Sequence, residues 1–424
     1  MKGHKKRFIA VLTALALLMV FTAGSCASNA GPVDRTVFSG DNKPVYVTNT
    51  GSSTISVIDL AHKKVNRTID LRKEASGHIG SQSHFIGVTP NGNYLVVGEA
   101  GGTKDGRILF VDTQTDHVIK KFDVGASIGM HLTRDGKWLF TISSGKGDVN
   151  GVNYNNVINV FDVEKQEYLG KIDLGADPHV LDTTWDGKYL YTTTADGGKL
   201  VAYDITGLPA NLPSTPFWTF DVFQNLKDGG HFPPNQKLDG IALHALVVHP
   251  SGRYVIVGSM DWFENRRLLV GGGDVIVDVR NNKIVARVPG GPHNYDISPD
   301  QHYLLSGEGF APDCEEQHYL HELAHNFKGP LVRIVDISEL LSDTPDFNKI
   351  KVTDTIDGGQ LADALYVSHQ TYDSSGKYIL VTTASKSGKN GRTLIVDATD
   401  NYKLVANIEV AQHPHGLAYP EYGR

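Results

Sequence analysis

Apolar residues in this chain come in short runs that end in aspartate, not at helical spacing. A strand-like run closing on an apolar-Asp pair, then a polar turn and a second run, recurs seven times: SVIDLAHKKVNRTIDL from Ser56, LFVDTQTDHVIKKFDV from Leu109, NVFDVEKQEYLGKIDL from Asn159, LVAYDITG from Leu200, VIVDVRNNKIVARV from Val275, VRIVDISEL from Val332 and LIVDATDNYKLVANIEV from Leu394. The marker residues Asp59, Asp112, Asp162, Asp204, Asp278, Asp336 and Asp397 lie 42 to 74 residues apart. Each is preceded by another run, such as VYVTNTG, YLYTTTADG or YILVTTASK, and from the second copy on by a tight polar turn (TPNG, TRDG, TWDG, HPSG, SPDQ, DSSG) with a further run ahead of it. Runs of this length, rich in Val, Ile, Thr and aromatic residues and bounded by Gly, Asp and Pro, predict strands.

Four short strands per unit at a period near 50 predict an all-β chain folded as a β-propeller, and the count gives seven blades. The first copy has no innermost strand of its own, while the chain ends on an orphan strand, His413 to Pro420. The expected closure places that strand in the first blade. The VYVTNTGSSTISVIDL opening resembles the YVTN family of bacterial exported propellers, and the resemblance covers Val45 through Pro420. The predicted organisation is a signal segment at 1–25, a tether at 26–43 and a single propeller at 44–420.

Propeller geometry then sorts the connections. Blade-to-blade links and second-to-third-strand links emerge on one face, and here they hold every long segment: 72–83, 144–156, 222–242, 261–273, 308–330 and 358–367. Long loops gathered on one face mark the expected working face.

Of the 18 histidines, four fall in one register, seven residues before the third position of the tight turn: His84, His179, His244 and His293. His415 holds the like place in its Pro-His-Gly. His369 lies one residue out of register and His131 three, offsets a β-bulge would absorb. Chance would give four such matches in roughly one chain in ten thousand, so the register is not accidental. These positions begin the innermost strands, so up to seven imidazoles are expected to converge at the channel mouth. Solvated residues bonded to channel water are the plain alternative. Converging imidazoles with almost no thiol suit copper or zinc, and more than four of them favour several copper ions. Asp182 and Asp296, three residues after their histidines, are read either as partners fixing the imidazole tautomer or as caps of the coming turn.

This architecture resembles nitrous oxide reductase and thiocyanate dehydrogenase, exported seven-bladed propellers with copper clusters in a ring of histidines. The resemblance implies His84, His131, His179, His244, His293, His369 and His415 as metal ligands. Two cysteines cannot supply the copper electron-transfer domain of the reductase, so the dehydrogenase is the nearer match. Lys237 and Asp239, on the loop before His244, are candidates for anion binding and proton transfer, with a solvated loop as the alternative. His321-Glu322-Leu323-Ala324-His325 matches the H-E-x-x-H zinc motif, but without a zincin scaffold. If 315–326 is a short helix, His318, His321 and His325 share one of its faces: the plain reading is a surface helix with incidental histidines, and the alternative is a lid supplying one more ligand, with Cys314 beside it as a soft ligand or free thiol.

Composition narrows the partners. Forty-seven acidic against 40 basic residues exclude a phosphate-binding role in nucleic-acid recognition, and two cysteines exclude a disulfide framework. Lys2, Lys5, Lys6 and Arg7 followed by the apolar run from Phe8 to Phe21 form an export signal too short to span a bilayer. Without it the chain carries 36 basic and 47 acidic residues, a net charge of −11. Thr22 to Cys26 resembles a lipobox, with Ala23 where Leu is usual; acylation at Cys26 and plain cleavage near Ala27 or Ala30 both remain open, and any membrane hold comes through that lipid. The leading expectation is a periplasmic or envelope-bound copper oxidoreductase acting on a small inorganic, sulfur or nitrogen compound. No Cys-x-x-Cys-His is present, so electrons would pass to an external carrier such as a cytochrome c. The alternatives are a YVTN or haem d1-type propeller holding a macrocycle or a partner, and a scaffold for envelope proteins.

Overall fold

The computed structural model describes residues 43–419 except 74–81, 101–105, 125–126, 144–147, 150–151, 154–155, 177, 195–197, 230–237, 264–267, 292, 309–329, 363, 365 and 386–388. Seven four-stranded antiparallel sheets form the blades of a closed ring. Blade 1 is built from both ends of the chain: the innermost strand Pro414–Ala418 pairs with Pro44–Asn49, which pairs with Thr54–Asp59 and then Lys64–Asp70. Tyr46 lies opposite Ala418 and Asn49 opposite Pro414, so the orphan strand closes the ring as the repeat pattern predicts. The other six blades follow the chain from the inside outward. Their innermost strands are Gln82–Val88, Ser127–Leu132, Pro178–Thr183, Leu238–Val248, Asn294–Ile297 and Tyr366–Tyr372.

The core is divided among the seams. Seven clusters of buried apolar residues each join one blade to the next, for example Leu200 and Phe220 of blade 4 against Val255 and Val275 of blade 5. Middle strands are therefore covered on both sides. Val157–Asp162 (VINVFD) is buried at every position, which is why these runs read as continuous apolar stretches in place of strict alternation.

All seven marker aspartates do one job. Each accepts a backbone N–H two or three residues on, as in Gln114 and Thr115 to Asp112 or Thr399 to Asp397, closing the turn into the outermost strand. The tight turns behind the innermost strands require a left-handed residue at their fourth position. Gly92, Gly136, Gly187, Gly252 and Gly376 take φ between 66° and 73°, and in SPDQ Gln301 adopts 66° without a glycine.

Candidate site at the channel mouth

The innermost strands surround a cavity of about 220 Å³ to which all seven blades contribute lining residues. Of the histidines, His131, His293 and His369 line it, and near the working face the innermost strands carry β-bulges at several histidine positions. Ser83 pairs with Glu99 and Phe85 with Gly98, leaving His84 as the extra residue; Leu243 and Ala245 leave His244 in the same way. In blades 4, 7 and 1 two residues oppose one. His179–Val180 face Thr193, Ser368–His369 face Thr382, and His415–Gly416 face Thr48. A bulge breaks the ladder and re-aims the side chain it carries.

Threonine hydroxyls occupy the broken ladder. Thr382 Oγ1 accepts the His369 N–H (2.9 Å) and reaches the His415 carbonyl (2.9 Å), tying blade 7 to blade 1. Thr48 Oγ1 accepts the Gly416 N–H (2.8 Å), and Thr193 Oγ1 donates to the Leu243 carbonyl of blade 5 (3.2 Å). All three threonines are fully buried. The threonines of VYVTN, YLYTTT and YILVTT signal these anchors, a pattern that the histidine register alone does not expose.

Five imidazoles come together. Ring centroids are 4.1 Å apart for His179 and His244, 5.6 Å for His244 and His293, 6.0 Å for His293 and His415, 6.2 Å for His293 and His369, and 4.7 Å for His369 and His415. Phe85 sets its ring edge-on to both His369 and His415 at 5.7 Å. Burial pushes the His369 imidazole down to about 4, so it is neutral, as a ligand must be. His293 has both nitrogens engaged. Nδ1 lies 2.7 Å from the Ser368 carbonyl and must donate to it, which leaves Nε2 of the neutral ring to accept from the Tyr366 hydroxyl.

His131 lines the same cavity but is outside the five-ring group, with Nε2 against the Thr183 hydroxyl (2.9 Å) and Nδ1 3.3 Å from Asp182. Burial lowers its pKa, opposed by the Asp182 carboxylate and assisted by Arg134. His84 holds the bulge position in its strand, but its side chain lies outside the described residues, as do Lys237, Cys314, His318, His321 and His325. Asp239 is in the strand Leu238–Val248, with its side chain likewise outside. Asp182 partners an imidazole, but that of His131 in the preceding blade and not that of His179 three residues before it, while Asp296 matches neither sequence reading. Each caps the next blade's innermost strand: Asp182 accepts the Val248 N–H (2.7 Å), and Asp296 accepts the Tyr372 N–H and the Thr371 hydroxyl (2.8 Å each). Spacing along one chain could not show them crossing a blade seam.

The donor set fits a soft or borderline transition metal. Two imidazoles bound at about 2 Å to one ion put their ring centroids roughly 4.5 to 6.3 Å apart, a range that holds the separations among His293, His369 and His415. Among the described residues, however, no three His, Cys, Asp or Glu side chains already converge on one point at ligand distance. The rings are gathered, and closing them on an ion requires side-chain rotation.

The fold and site define a seven-bladed β-propeller with an imidazole-lined channel mouth, consistent with the YVTN type. No family profile and no curated protein matches the chain. Among solved structures it is similar to a functionally unknown protein from Desulfotomaculum acetoxidans at 11% identity, TM-score 0.60, covering 89% of this chain and 98% of the other. It is similar to the Kuenenia stuttgartiensis hydrazine synthase at 14% identity, TM-score 0.54, covering 80% and 90%. It is also similar to the dihydro-haem d1 dehydrogenase NirN in complex with DHE, at 11% identity, TM-score 0.55, covering 92% and 78%. At these identities the likeness is one of fold, and its bearers include enzymes.

Proposed function

We propose that this protein is an exported copper-dependent oxidoreductase that binds copper through imidazoles at the channel mouth and acts on a small inorganic, sulfur or nitrogen compound. The observation that carries the reading is the gathering of His179, His244, His293, His369 and His415 with centroid steps of 4.1 to 6.2 Å. His293, His369 and His415 would hold one ion, with His179 and His244 beside it. Copper there would supply one-electron redox chemistry, with an external carrier such as a cytochrome c taking or giving electrons. A small substrate agrees with a cavity of about 220 Å³, below the roughly 300 to 1,000 Å³ of pockets for organic ligands. We place the protein in the periplasm or envelope, held by a lipid at Cys26.

The likeness to a dihydro-haem d1 dehydrogenase favours a second reading, in which the same mouth holds a macrocycle through one axial imidazole. One experiment separates the two: purify the mature protein from periplasm and measure bound metal together with the absorption spectrum. Two or more coppers per chain, lost in the His179→Ala, His293→Ala double variant, support the first. An intense macrocycle band selects the second, and no copper after reconstitution overturns the first.

A further inference from the structure

Between blades 5 and 6 lies a buried polar cluster behind the imidazole group. Asp274, in the third strand of blade 5 (Leu268–Asp278), is fully buried. Its Oδ1 accepts hydrogen bonds from the Tyr295 hydroxyl (2.5 Å) and the Ser306 hydroxyl (3.0 Å). Ser306 Oγ accepts the Gly291 N–H in turn (2.8 Å), and the His293 N–H donates to the Gly307 carbonyl (3.1 Å). The segment is packed as closely as backbone allows. A Cβ on Gly290 would lie 2.0 Å from the Asp274 carboxyl, and one on Gly291 would lie 2.0 Å from the Gly307 carbonyl oxygen. The Gly-Gly pair of the GGPH sequence therefore lets the chain settle directly onto the carboxyl.

We propose that Asp274 is a positioning residue for His293: from a different blade, one carboxyl oxygen gathers the ties on both sides of that histidine, Gly291 through Ser306 and Tyr295 directly, and so fixes where its ring stands in the imidazole group. Asp274 touches no imidazole and acts only through these two neighbours. The value of His293 to a metal rests on the function proposed above; its placement does not. A carboxylate suits the task because it accepts two hydroxyl donors at one oxygen with charge-assisted strength. The groups facing it are the Tyr295 and Ser306 hydroxyls, Glu308, and Arg333, which donates to Glu308 at 2.5 Å. Burial raises the Asp274 carboxyl to about 7, against the pull of Tyr295, Ser306 and Arg333 and with a smaller push from Glu308. Burial, and after it the Asp274 charge, raises Tyr295 as well, so the phenol keeps its proton to donate. The tie is therefore firmest above neutral pH and slackens as the carboxylate takes up a proton.

The test uses metal-free protein labelled with ¹⁵N-histidine, in which His293 is the ring whose Nδ1–H donates to the Ser368 carbonyl. Asp274→Ala is expected to lose that tautomer signal or broaden it by ring exchange, with His179 and His249 unchanged. Asp274→Asn keeps an acceptor without the charge, so it should retain the signal and lose its pH dependence near 7. A folded Asp274→Ala protein whose His293 signal matches wild type overturns the proposal. If that variant does not fold, Ser306→Ala and Tyr295→Phe each remove one tie and must each broaden the His293 signal; neither doing so overturns it equally. A copper titration forms the second arm, where a 10- to 100-fold loss of affinity in Asp274→Ala is expected, the usual effect of removing a group that orients a ligand. Wild type binding no copper while the His293 signal still depends on Asp274 would remove the metal reading and leave the positioning role standing.

Discussion

Replacing Thr382 by valine tests whether the bulges that present histidines are held by side-chain hydroxyls. Thr382 is fully buried, and its Oγ1 joins the His369 N–H to the His415 carbonyl across the seam of blades 7 and 1. Valine has nearly the same shape, so packing is kept while two buried backbone groups lose their partner. Each such group costs about 1 to 3 kcal/mol, and the added methyl returns about 0.8 kcal/mol. The net loss should be about 1 to 5 kcal/mol. Thr382→Ser is the opposite perturbation, because it keeps the hydroxyl and removes a methyl worth about 1 kcal/mol. Guanidinium unfolding followed by tryptophan fluorescence should find the valine variant below wild type by that amount and the serine variant by no more than about 1 kcal/mol. A valine variant as stable as wild type would refute the reasoning, since it would mean that shape holds the bulge and the hydroxyl is incidental.

Arg333→Met leaves Glu308 buried without its guanidinium partner and should cost about 3 to 5 kcal/mol, read as a lower unfolding midpoint; adding Glu308→Leu should recover most of it. Acid should weaken the metal-free protein through His369. Its folded pKa, near 4, lies below the unfolded value of about 6.5, so stability falls as pH drops from about 6.5 to about 4 and is level below that. Unfolding midpoints measured from pH 7.5 to 4 should show that fall, worth up to about 3 kcal/mol, and it should shrink in His369→Gln; His249, also held near 4 by burial, keeps its own share. Ending the chain at Gln412 removes the innermost strand of blade 1 and should abolish cooperative unfolding; a sharp transition in the shortened protein would contradict the closure.

Blade number and closure were legible because the unit repeats. A turn-closing Asp leaves the same trace seven times, and a missing strand at one end matches a spare strand at the other. The histidine register pointed to the mouth for the same reason. His369 belongs there despite its one-residue offset, since its bulge opposes two residues to one. His131, three residues along, sits where Asp182 and Thr183 of the next blade take both of its nitrogens. Tyr366 and Asp274 were not legible at all. Each occurs once, outside the repeat, and matters only through a partner 73 or 21 residues away. What the period of the sequence encodes is the ring; what it does not encode is the contact between one blade and the next.

The closing blade also sets the end of the ring at which the chain begins its first strand. Pro44 begins its strand at the end where Ala418 finishes, and Asn49 ends beside Pro414, next to the imidazoles. The polypeptide therefore enters the ring on the side of the tight turns, opposite the channel mouth. Held by a lipid at Cys26, 17 residues before Lys43, the ring could stand at most about 60 Å off the bilayer. If the protein is anchored as proposed, the tether joins the ring at the end away from the imidazoles and so leaves the channel mouth unobstructed by it.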